Sequence, residues 1–532
     1  MDEREALIAE IRANPEDDAP RLVAADWFEE QGTPADTARA DFIRAQVERA
    51  RLAPNDPAQS ELQATELRLL KQYQREWCGS HHLFKKCVFR RGFIEYVHLH
   101  LQKFQHHRRE LMRLEPVRDV RFTGWWRCQE QLVRQVAECE ELRHLQTLRI
   151  HHQGPHKDPD GRVLPLLESP HLMGLRKLVC PPMEFSPEDR KRFEMLPIIR
   201  KVEELSLPML DYKAGEWFSE RPQLLHELED LKAVTVGPYS TRLLATLQKE
   251  NAWQNLRKLD VAFTGWDHDE ILPLANWLPS TLESLKLTLG DVYDIDEDDD
   301  TGNSSQVAEV CSRIEDLSLT ELQLSAASMS PQVLKRVLDA SPTLANLNLW
   351  STPLSPAHAE VLAGSSNLKE LHTVDISACS RSDEDTLLDS ILASPNLKGV
   401  STLMADGCLI ADSTLRQMEM SSARFRSLNI TGSVRDAQVV ERLVRTPPMQ
   451  SVVWLWISTR YELNRGGWRA LDASLFDSLP HLATLYIQGL GDESSKVPWV
   501  FGSKENDWSP IHSTSWPPVD ESLNTEFSFD RY

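Results

Sequence analysis

A six-residue pattern, leucine-x-x-leucine-x-leucine, recurs along most of this chain and restricts what it can fold into. The first leucines of the copies at Leu145 and Leu482 lie 337 residues apart (482 − 145), and twelve intervals over that span give a mean period of about 28 residues. Each copy predicts a short strand. Clear copies begin at Leu145, Leu175, Val202, Leu256, Leu282, Leu319, Leu344, Phe425 and Leu482, and weaker ones lie at Val117, Leu231, Leu371, near Leu397 and at Val452.

The segments between copies carry signals for the start of a helix. Ser186-Pro187, Ser330-Pro331 and Ser355-Pro356 each place a capping serine before a proline at the first helical position. A single strand and helix cannot bury the leucine face of the strand, whereas stacked units bury it continuously. The pattern therefore predicts an α/β fold, a curved solenoid with one strand and one helix per repeat.

This pattern resembles the leucine-rich repeat, and the period and helices are similar to the ribonuclease-inhibitor-like class of these repeats. One position departs from the family, because the residue that is usually asparagine varies here. We therefore expect the hydrogen-bonded asparagine ladder to be absent, which leaves the curvature of the arc open. The residues at this position are Gln153, Thr264, Thr352, Cys379 and Ser433.

The first hundred residues predict a small helical unit, with helices over 3–13, from Glu16 to Gly32, and from Pro34 onward. The runs 14–32, 39–46 and 89–95 resemble the repeat-companion domain, which precedes leucine-rich repeats in bacterial proteins. The resemblance implies three helices followed by a strand, and no activity. Five polar residues of this unit are expected to cap helices and form ion pairs rather than make a site. They are Asp17, Asp18, Arg21, Asp26 and Arg44.

These patterns divide the chain into four parts. Residues 1–55 form the three-helix repeat-companion domain, and residues 56–87 form a helical connector. The leucine-rich-repeat solenoid covers residues 88–490, and residues 491–532 form a C-terminal cap or tail. An acidic loop at 291–305 is inserted in the solenoid, because it interrupts the repeat spacing.

The acidic loop invites a calcium-site reading, which its spacing contradicts. The sixth position from Asp294 is Asp299 rather than glycine, and the twelfth is Ser305 rather than glutamate. We predict a solvated loop that contacts a basic partner or is cut by a protease. Its acidic residues are Asp294, Asp296, Asp298, Asp299 and Asp300.

Residues between the strand leucines point to the concave face of such a solenoid, where a partner protein is expected to bind. Clustered aromatic rings on that face are typical anchors of protein interfaces. An alternative is that the rings pack beneath the C-terminal tail, which carries Trp499, Trp508 and Trp516. The predicted partner-binding residues are Trp350, Trp454, Trp456, Tyr486, Asn348 and Asn429.

Metal, cofactor and catalytic motifs do not appear in the sequence. Cys78, His81, His82 and Cys87 offer four possible zinc ligands, but their spacing matches no common zinc module. There is no phosphate-binding glycine loop, no zinc-protease helix motif and no nucleophile elbow. We therefore predict a non-enzyme with no metal, no cofactor and no small-molecule substrate.

Charge and cysteine usage indicate the class of partner. The chain has 59 basic and 81 acidic side chains, a net charge of −22, so nucleic acid and membrane surfaces are poor partners. Eight scattered cysteines and the lack of an apolar leader are typical of a cytoplasmic protein. We predict a protein-protein interaction scaffold. The alternative is a regulatory protein of a bacterial signalling or defence system, acting as an inhibitor or protease substrate of a partner enzyme.

Overall fold

The structure is a computed structural model in which strands and helices alternate along the chain. It describes residues 2–54, 56–79, 84–124, 128–150, 163–180, 186–207, 222–228, 230–236, 241–263, 272–289, 304–314, 316–327, 329–379, 387–408, 410–434, 437–459, 478–482, 484–489, 499–502 and 509–510.

The helices fall into an N-terminal group of four and a series that alternates with the strands. They are α1 (Glu3–Ala13), α2 (Ala19–Gln31), α3 (Pro34–Arg51), α4 (Ala58–Trp77), α5 (Leu101–Leu114), α6 (Glu130–Ala137), α7 (Leu164–Leu167), α8 (Pro187–Glu194), α9 (Gln223–Glu227), α10 (Thr241–Glu250), α11 (Leu272–Trp277), α12 (Ser304–Ile314), α13 (Pro331–Ala340), α14 (Pro356–Gly364), α15 (Leu387–Ala393), α16 (Asp412–Met420) and α17 (Ala437–Leu443).

The strands follow one another across a single sheet in chain order. They are β1 (Phe84–Arg90), β2 (Phe93–His100), β3 (Asp119–Thr123), β4 (Thr147–Ile150), β5 (Lys177–Val179), β6 (Glu204–Leu207), β7 (Ala233–Val236), β8 (Lys258–Phe263), β9 (Ser284–Leu289), β10 (Glu321–Ser325), β11 (Asn346–Asn348), β12 (Thr373–Asp375), β13 (Thr402–Met404), β14 (Ser427–Val434), β15 (Trp454–Thr459), β16 (Thr484–Gly489), β17 (Trp499–Gly502) and β18 (Ser509–Pro510).

Strands β2 to β16 pair in parallel, each with the next, so fifteen strands form one continuous parallel sheet. Antiparallel strands lie at both ends, β1 against β2 and β17 with β18 beyond β16. The helices return the chain from one strand to the next, as parallel pairing requires. The fold is therefore the α/β solenoid that the repeat predicted.

One leucine or valine in each strand lies at the same register position, and we call this set the leucine row. Its members from β2 to β15 are each at most 3% exposed, and they pack in one core cluster with the apolar faces of the helices. They are Val97, Val120, Leu148, Leu178, Leu205, Val234, Leu259, Leu285, Leu322, Leu347, Val374, Leu403, Leu428 and Leu455.

Every predicted copy, clear or weak, lies at a strand. The copy placed near Leu397 begins instead at Val400, because Leu397 belongs to a 3-10 helix and Leu403 is the core residue of β13. The helix α12 begins at Ser304, so the last two residues of the predicted acidic loop are helical. The rest of that loop lies outside the described residues.

Serine caps and a short-side-chain ladder fix the turns between repeats. Ser186 and Ser330 accept from the backbone three residues on, each before a proline, as predicted. At two of the positions that usually carry asparagine, shorter side chains hydrogen-bond to the backbone of the preceding repeat. The Thr352 hydroxyl donates to the Leu324 carbonyl at 2.6 Å, and the Cys379 thiol donates to the Leu349 carbonyl at 2.9 Å.

The N-terminal helices match their predicted positions closely, and α2 ends at Gly32 in the left-handed conformation. The polar residues form ion pairs and caps, as expected. Arg44 pairs with Asp26 and Glu29, Arg51 pairs with Asp18, and the Asp17 carboxylate accepts from the backbone of Ala19.

Two buried ion pairs join the helical region to the sheet. The guanidinium of Arg21 on α2 lies 2.6 Å from the carboxylate of Glu95 on β2, with both side chains at most 1% exposed. Arg39 on α3 pairs with Glu115 at 3.1 Å, and Glu115 also accepts from the backbone of Ile94 at 2.8 Å. Separation of the helices from the sheet would leave these charges buried without a partner, which is costly. The two pairs therefore fix the position of α2 and α3 on the sheet.

A contact 367 residues apart in sequence links the helical region to the far part of the solenoid. The Gln59 side chain, at the start of α4, donates to the carbonyls of Arg49, Leu52 and Ala53 at the end of α3. Its carbonyl oxygen accepts from the guanidinium of Arg426, beside β14, at 3.0 Å. Both side chains are buried.

No helix in the described part of the chain is long and apolar enough to cross a membrane.

The turn between β1 and β2 was not predicted, because the run 89–95 was interpreted as one strand. Arg91 has a φ of 46° and Gly92 a φ of 91°, and two left-handed residues in succession form the tight turn of a hairpin. A Cβ on Gly92 would lie 2.8 Å from the Cα of Ile43 on α3. The hairpin therefore depends on glycine for both its conformation and its packing.

We expect Gly92→Ala to destabilise the fold by about 2–5 kcal/mol, the sum of left-handed strain and overpacking. The matched control is Gly32→Ala, because Gly32 has a φ of 72° with no atom within 4 Å of an added Cβ. The control should cost only about 1–2 kcal/mol of strain. Urea unfolding of both variants measures the difference, and equal losses would contradict the close approach to Ile43.

Candidate interaction face

Side chains alternate along a strand, so the residues on either side of the leucine row point to the opposite face of the sheet from the helices. They form two rows in strict register. The upstream row is Tyr96, Asp119, Thr147, Lys177, Glu204, Ala233, Lys258, Ser284, Glu321, Asn346, Thr373, Thr402, Ser427, Trp454 and Thr484.

The downstream row lies two residues further along each strand. It comprises His98, Arg121, Arg149, Val179, Ser206, Thr235, Asp260, Lys286, Gln323, Asn348, Asp375, Met404, Asn429, Trp456 and Tyr486.

Four of the six residues predicted to bind a partner lie in the downstream row. Asn429, Trp456 and Tyr486 are direct register neighbours on β14, β15 and β16, and Asn348 lies three strands before Asn429. Trp454 belongs to the upstream row of the same strand as Trp456. Parallel strands lie about 4.8 Å apart, so the register places Asn429, Trp454, Trp456 and Tyr486 on three adjacent strands near the C-terminal end of the sheet.

The two tryptophans of β15 differ in exposure. Their rings stack, with centroids 5.9 Å apart and planes 15° from parallel. Trp454 is only 4% exposed, whereas Trp456 is half-buried. Trp456 therefore keeps an accessible surface and Trp454 does not, while partner binding by these rings and their cover by the C-terminal tail both stay predictions. The side chain of Tyr486 lies outside the described part, and so do Trp508 and Trp516 of the tail.

Trp350 follows the end of β11 and is held there by Asn348. The Asn348 side-chain oxygen accepts from the backbone of Trp350 at 2.8 Å, and the Trp350 carbonyl accepts from the backbone of Ala326 at 3.1 Å. Asn348 is buried and Trp350 is half-buried. Asn348 therefore positions the backbone at Trp350 and exposes little of its own surface.

Asp375 occupies the register position next to Asn348 and makes the same turn contact. Its carboxylate accepts from the backbone of Ser377 at 2.9 Å, and its side chain is 2% exposed. Burial is the main cause that raises the pKa of Asp375 to about 6, with a smaller contribution from the carboxylate of Asp406, and the hydrogen bonds from Ser377 act in the opposite direction. An amide and a carboxylate can both accept the hydrogen bond of this turn, but only the carboxylate brings a charge into the buried position.

The side chains of the upstream row are buried on β12, β13 and β14. Thr373 is 1% exposed, and Thr402 and Ser427 are also buried. On β4 to β10 the face is more open, and the charged side chains of β3 to β10 pair across neighbouring strands. Arg149 forms two hydrogen bonds of 3.1 Å with Asp119, Lys177 pairs with Glu204 at 3.1 Å, and Lys286 pairs with Glu321 at 3.0 Å.

The acidic residues 294, 296, 298, 299 and 300 lie outside the described residues, as do His81 and His82. Within the described part, no three histidine, cysteine, aspartate or glutamate side chains come together as metal ligands. Sequence reasoning missed Asp375 and Met404, which complete the downstream row between Asn348 and Asn429. The periodic pattern could have located them, because every strand contributes one residue to the row.

Comparison with known proteins finds remote likeness in fold and none in sequence. No family model and no curated protein sequence matches this chain. A solved structure described as "Crystal structure of Rad7 and Elc1 complex in yeast" superposes over 77% of this chain and 91% of its own, at 10% sequence identity and a TM-score of 0.43. A likeness of that size does not bear on partner or activity, and the resemblance of the N-terminal region to the repeat-companion domain remains a prediction.

Replacement of Asp375 by asparagine is expected to stabilise the protein above pH 7. A raised carboxyl pKa means that the native state binds more protons, so stability is full below pH 4 and falls as the pH rises through 6. Asp375→Asn removes that loss, about 2–3 kcal/mol at pH 8 and close to none at pH 4. Urea unfolding at the two pH values measures it.

The reciprocal change, Asn348→Asp, serves as the matched control at the neighbouring register position. It should destabilise the protein at pH 8 and leave it nearly unchanged at pH 4, because it introduces a charge at a buried position. A loss of stability in Asp375→Asn of equal size at both pH values would contradict the assignment of a buried, uncompensated carboxylate.

Proposed function

We propose that this chain is a non-enzymatic scaffold that holds a protein partner on the concave face, against the C-terminal end of the downstream row. The observation that carries the proposal is the register of that row. One side chain per strand, in unbroken order, gives a continuous surface on which half-buried Met404, Asn429 and Trp456 are successive neighbours. Such a row suits an extended or ridged protein surface.

The proposed contacts divide into anchors and supports. Trp350, Asn429 and Trp456 are half-buried and can contact a partner directly. Asn348 and Trp454 are buried, and they support Trp350 and Trp456 through the turn hydrogen bond and the ring stack. A stacked ring loses little conformational freedom when a partner binds, which favours Trp456 as the central anchor.

The charge of the molecule favours a basic partner surface. The net charge is −22, and among the described side chains of β3 to β10 the charged groups largely pair with each other. Paired charges on the face offer hydrogen bonding without a strong local field. The remaining negative charge of the molecule would steer a basic protein toward it and disfavour nucleic acid.

A scaffold acting through this face should depend on Trp456. The full chain would be used to capture partners from the lysate of its own host, and the affinity of a captured protein would then be measured by calorimetry. Truncation of a central aromatic anchor costs about 2 kcal/mol, so Trp456→Ala should weaken binding about 30-fold.

The matched control is Met420→Ala, at the end of α16 on the helical side of the sheet. Met420 is 75% exposed and apolar, yet it lies across the sheet from the downstream row. Its truncation should leave the affinity unchanged. Equal affinity of the two variants, with both unfolding like the parent chain, would contradict the proposed face, and a weaker Met420→Ala complex would move the interface to the helices.

A further inference from the structure

Two cysteines at the junction of the helical region and the sheet lie within contact of each other. Cys78 follows the last residue of α4, and Cys87 lies on β1, where it pairs with Val97 of β2. Their sulfur atoms are 3.2 Å apart, and both side chains are partly exposed. Sulfur atoms this close need a small approach to reach the length of a disulfide bond, about 2.05 Å.

Packing holds both cysteines in place. The indole of Trp77, next to Cys78, donates to the carbonyl of Ala35 at 3.1 Å. The Arg39 guanidinium lies over the rings of Trp77 and Phe89, 5.1 Å and 4.8 Å from their centroids. Trp77 directly precedes Cys78, and Phe89 follows Cys87 by two residues. The buried Arg39 guanidinium therefore holds an aromatic neighbour of each cysteine in place.

The pair has the electrostatic asymmetry of a nucleophilic and a resolving thiol. A hydrogen bond from Cys78 lowers the pKa of the Cys87 thiol, against burial, and the Gln74 amide and Arg39 lower it further. The same hydrogen bond, with burial, raises the pKa of Cys78. Cys87 is thus the first to ionise, and Cys78 keeps its proton beside it. Thiolate character and access to solvent are what make a cysteine reactive.

We propose that Cys78 and Cys87 form a reversible dithiol–disulfide pair, with low-molecular-weight disulfides such as glutathione disulfide as its oxidants. The Cys87 thiolate attacks one sulfur of glutathione disulfide, forms a mixed disulfide and releases one glutathione thiolate. The proton that Cys87 lost on ionising passes through water to this first glutathione. The Cys78 sulfur then attacks the Cys87 sulfur and displaces the second glutathione, which takes up the Cys78 proton. Two protein thiols are oxidised, and one glutathione disulfide is reduced to two glutathiones.

The new bond would join the end of α4 to the sheet across the eight residues 79–86. A loop that short loses conformational entropy in the unfolded chain when it is closed, which stabilises the folded junction. Oxidation would therefore fix α4 to β1, and reduction would leave the contact to side-chain packing. This inference does not depend on the proposed scaffold function.

The test exposes the purified full chain to glutathione buffers of increasing oxidised fraction, followed by alkylation and peptide mass spectrometry. We expect one intramolecular disulfide, seen as the loss of two hydrogens in linked peptides that contain Cys78 and Cys87 and reversed by dithiothreitol. Cys128 is the internal control, because it is also partly exposed and should stay free, since burial raises its pKa.

Single variants separate the two roles. Cys78→Ser should trap one glutathione on Cys87, because a serine hydroxyl cannot resolve the mixed disulfide. Cys87→Ser should react with glutathione disulfide at least about tenfold more slowly, because burial still raises the pKa of the remaining Cys78 thiol. Circular dichroism of both variants would verify the fold. Two unmodified thiols in the wild type under full oxidation would overturn the proposal. Stoichiometric zinc that must be chelated before the thiols react would overturn it too, in favour of a metal site.

Discussion

A leucine or valine at one fixed position in each parallel strand is the constraint on which the remaining structure depends. Because the side chains of a strand alternate, burial of Leu347 against the helices directs Asn346 and Asn348 to the opposite face. The same rule holds in every repeat, since a shift by one residue would expose the whole row. The in-register rows of polar and aromatic side chains are thus a by-product of core burial, and no separate interaction has to align them.

The helical region is joined to this sheet by a different kind of interaction. Arg21 with Glu95, and Arg39 with Glu115, are buried ion pairs with multiple hydrogen bonds. Such pairs add little net stability relative to apolar packing, but they are intolerant of mismatch, because a charge without its partner is costly in the interior. They therefore fix where the helices sit, while apolar contacts such as those of Phe42 supply the burial.

Sequence reasoning succeeded where the signal was local and periodic. The strands, the Ser-Pro helix starts and the helix end at Gly32 each depend on a few neighbouring residues, and the structure has them where predicted. It failed where the contact partner is distant. The turn at Arg91-Gly92 was missed because the run 89–95 was interpreted as one strand, and the packing of Gly92 against Ile43 is not visible in the sequence. The different burial of Trp454 and Trp456 likewise depends on three-dimensional packing that no strand pattern contains. The sulfur contact of Cys78 and Cys87 likewise requires the angle at which α4 meets β1.

The hydrogen bond between Gln59 and Arg426 changes the mechanics of the array. In an open solenoid each repeat contacts only its two neighbours, so the array can bend at any repeat and one end can unfold by itself. Here the hydrogen bond joins the two ends of the segment 59–426. If two neighbouring repeats within this segment rotate relative to each other, the other repeats must rotate in compensation, or the hydrogen bond breaks. The arc of this segment is therefore expected to resist bending as a unit, and repeats beyond β14 retain the freedom of an open end.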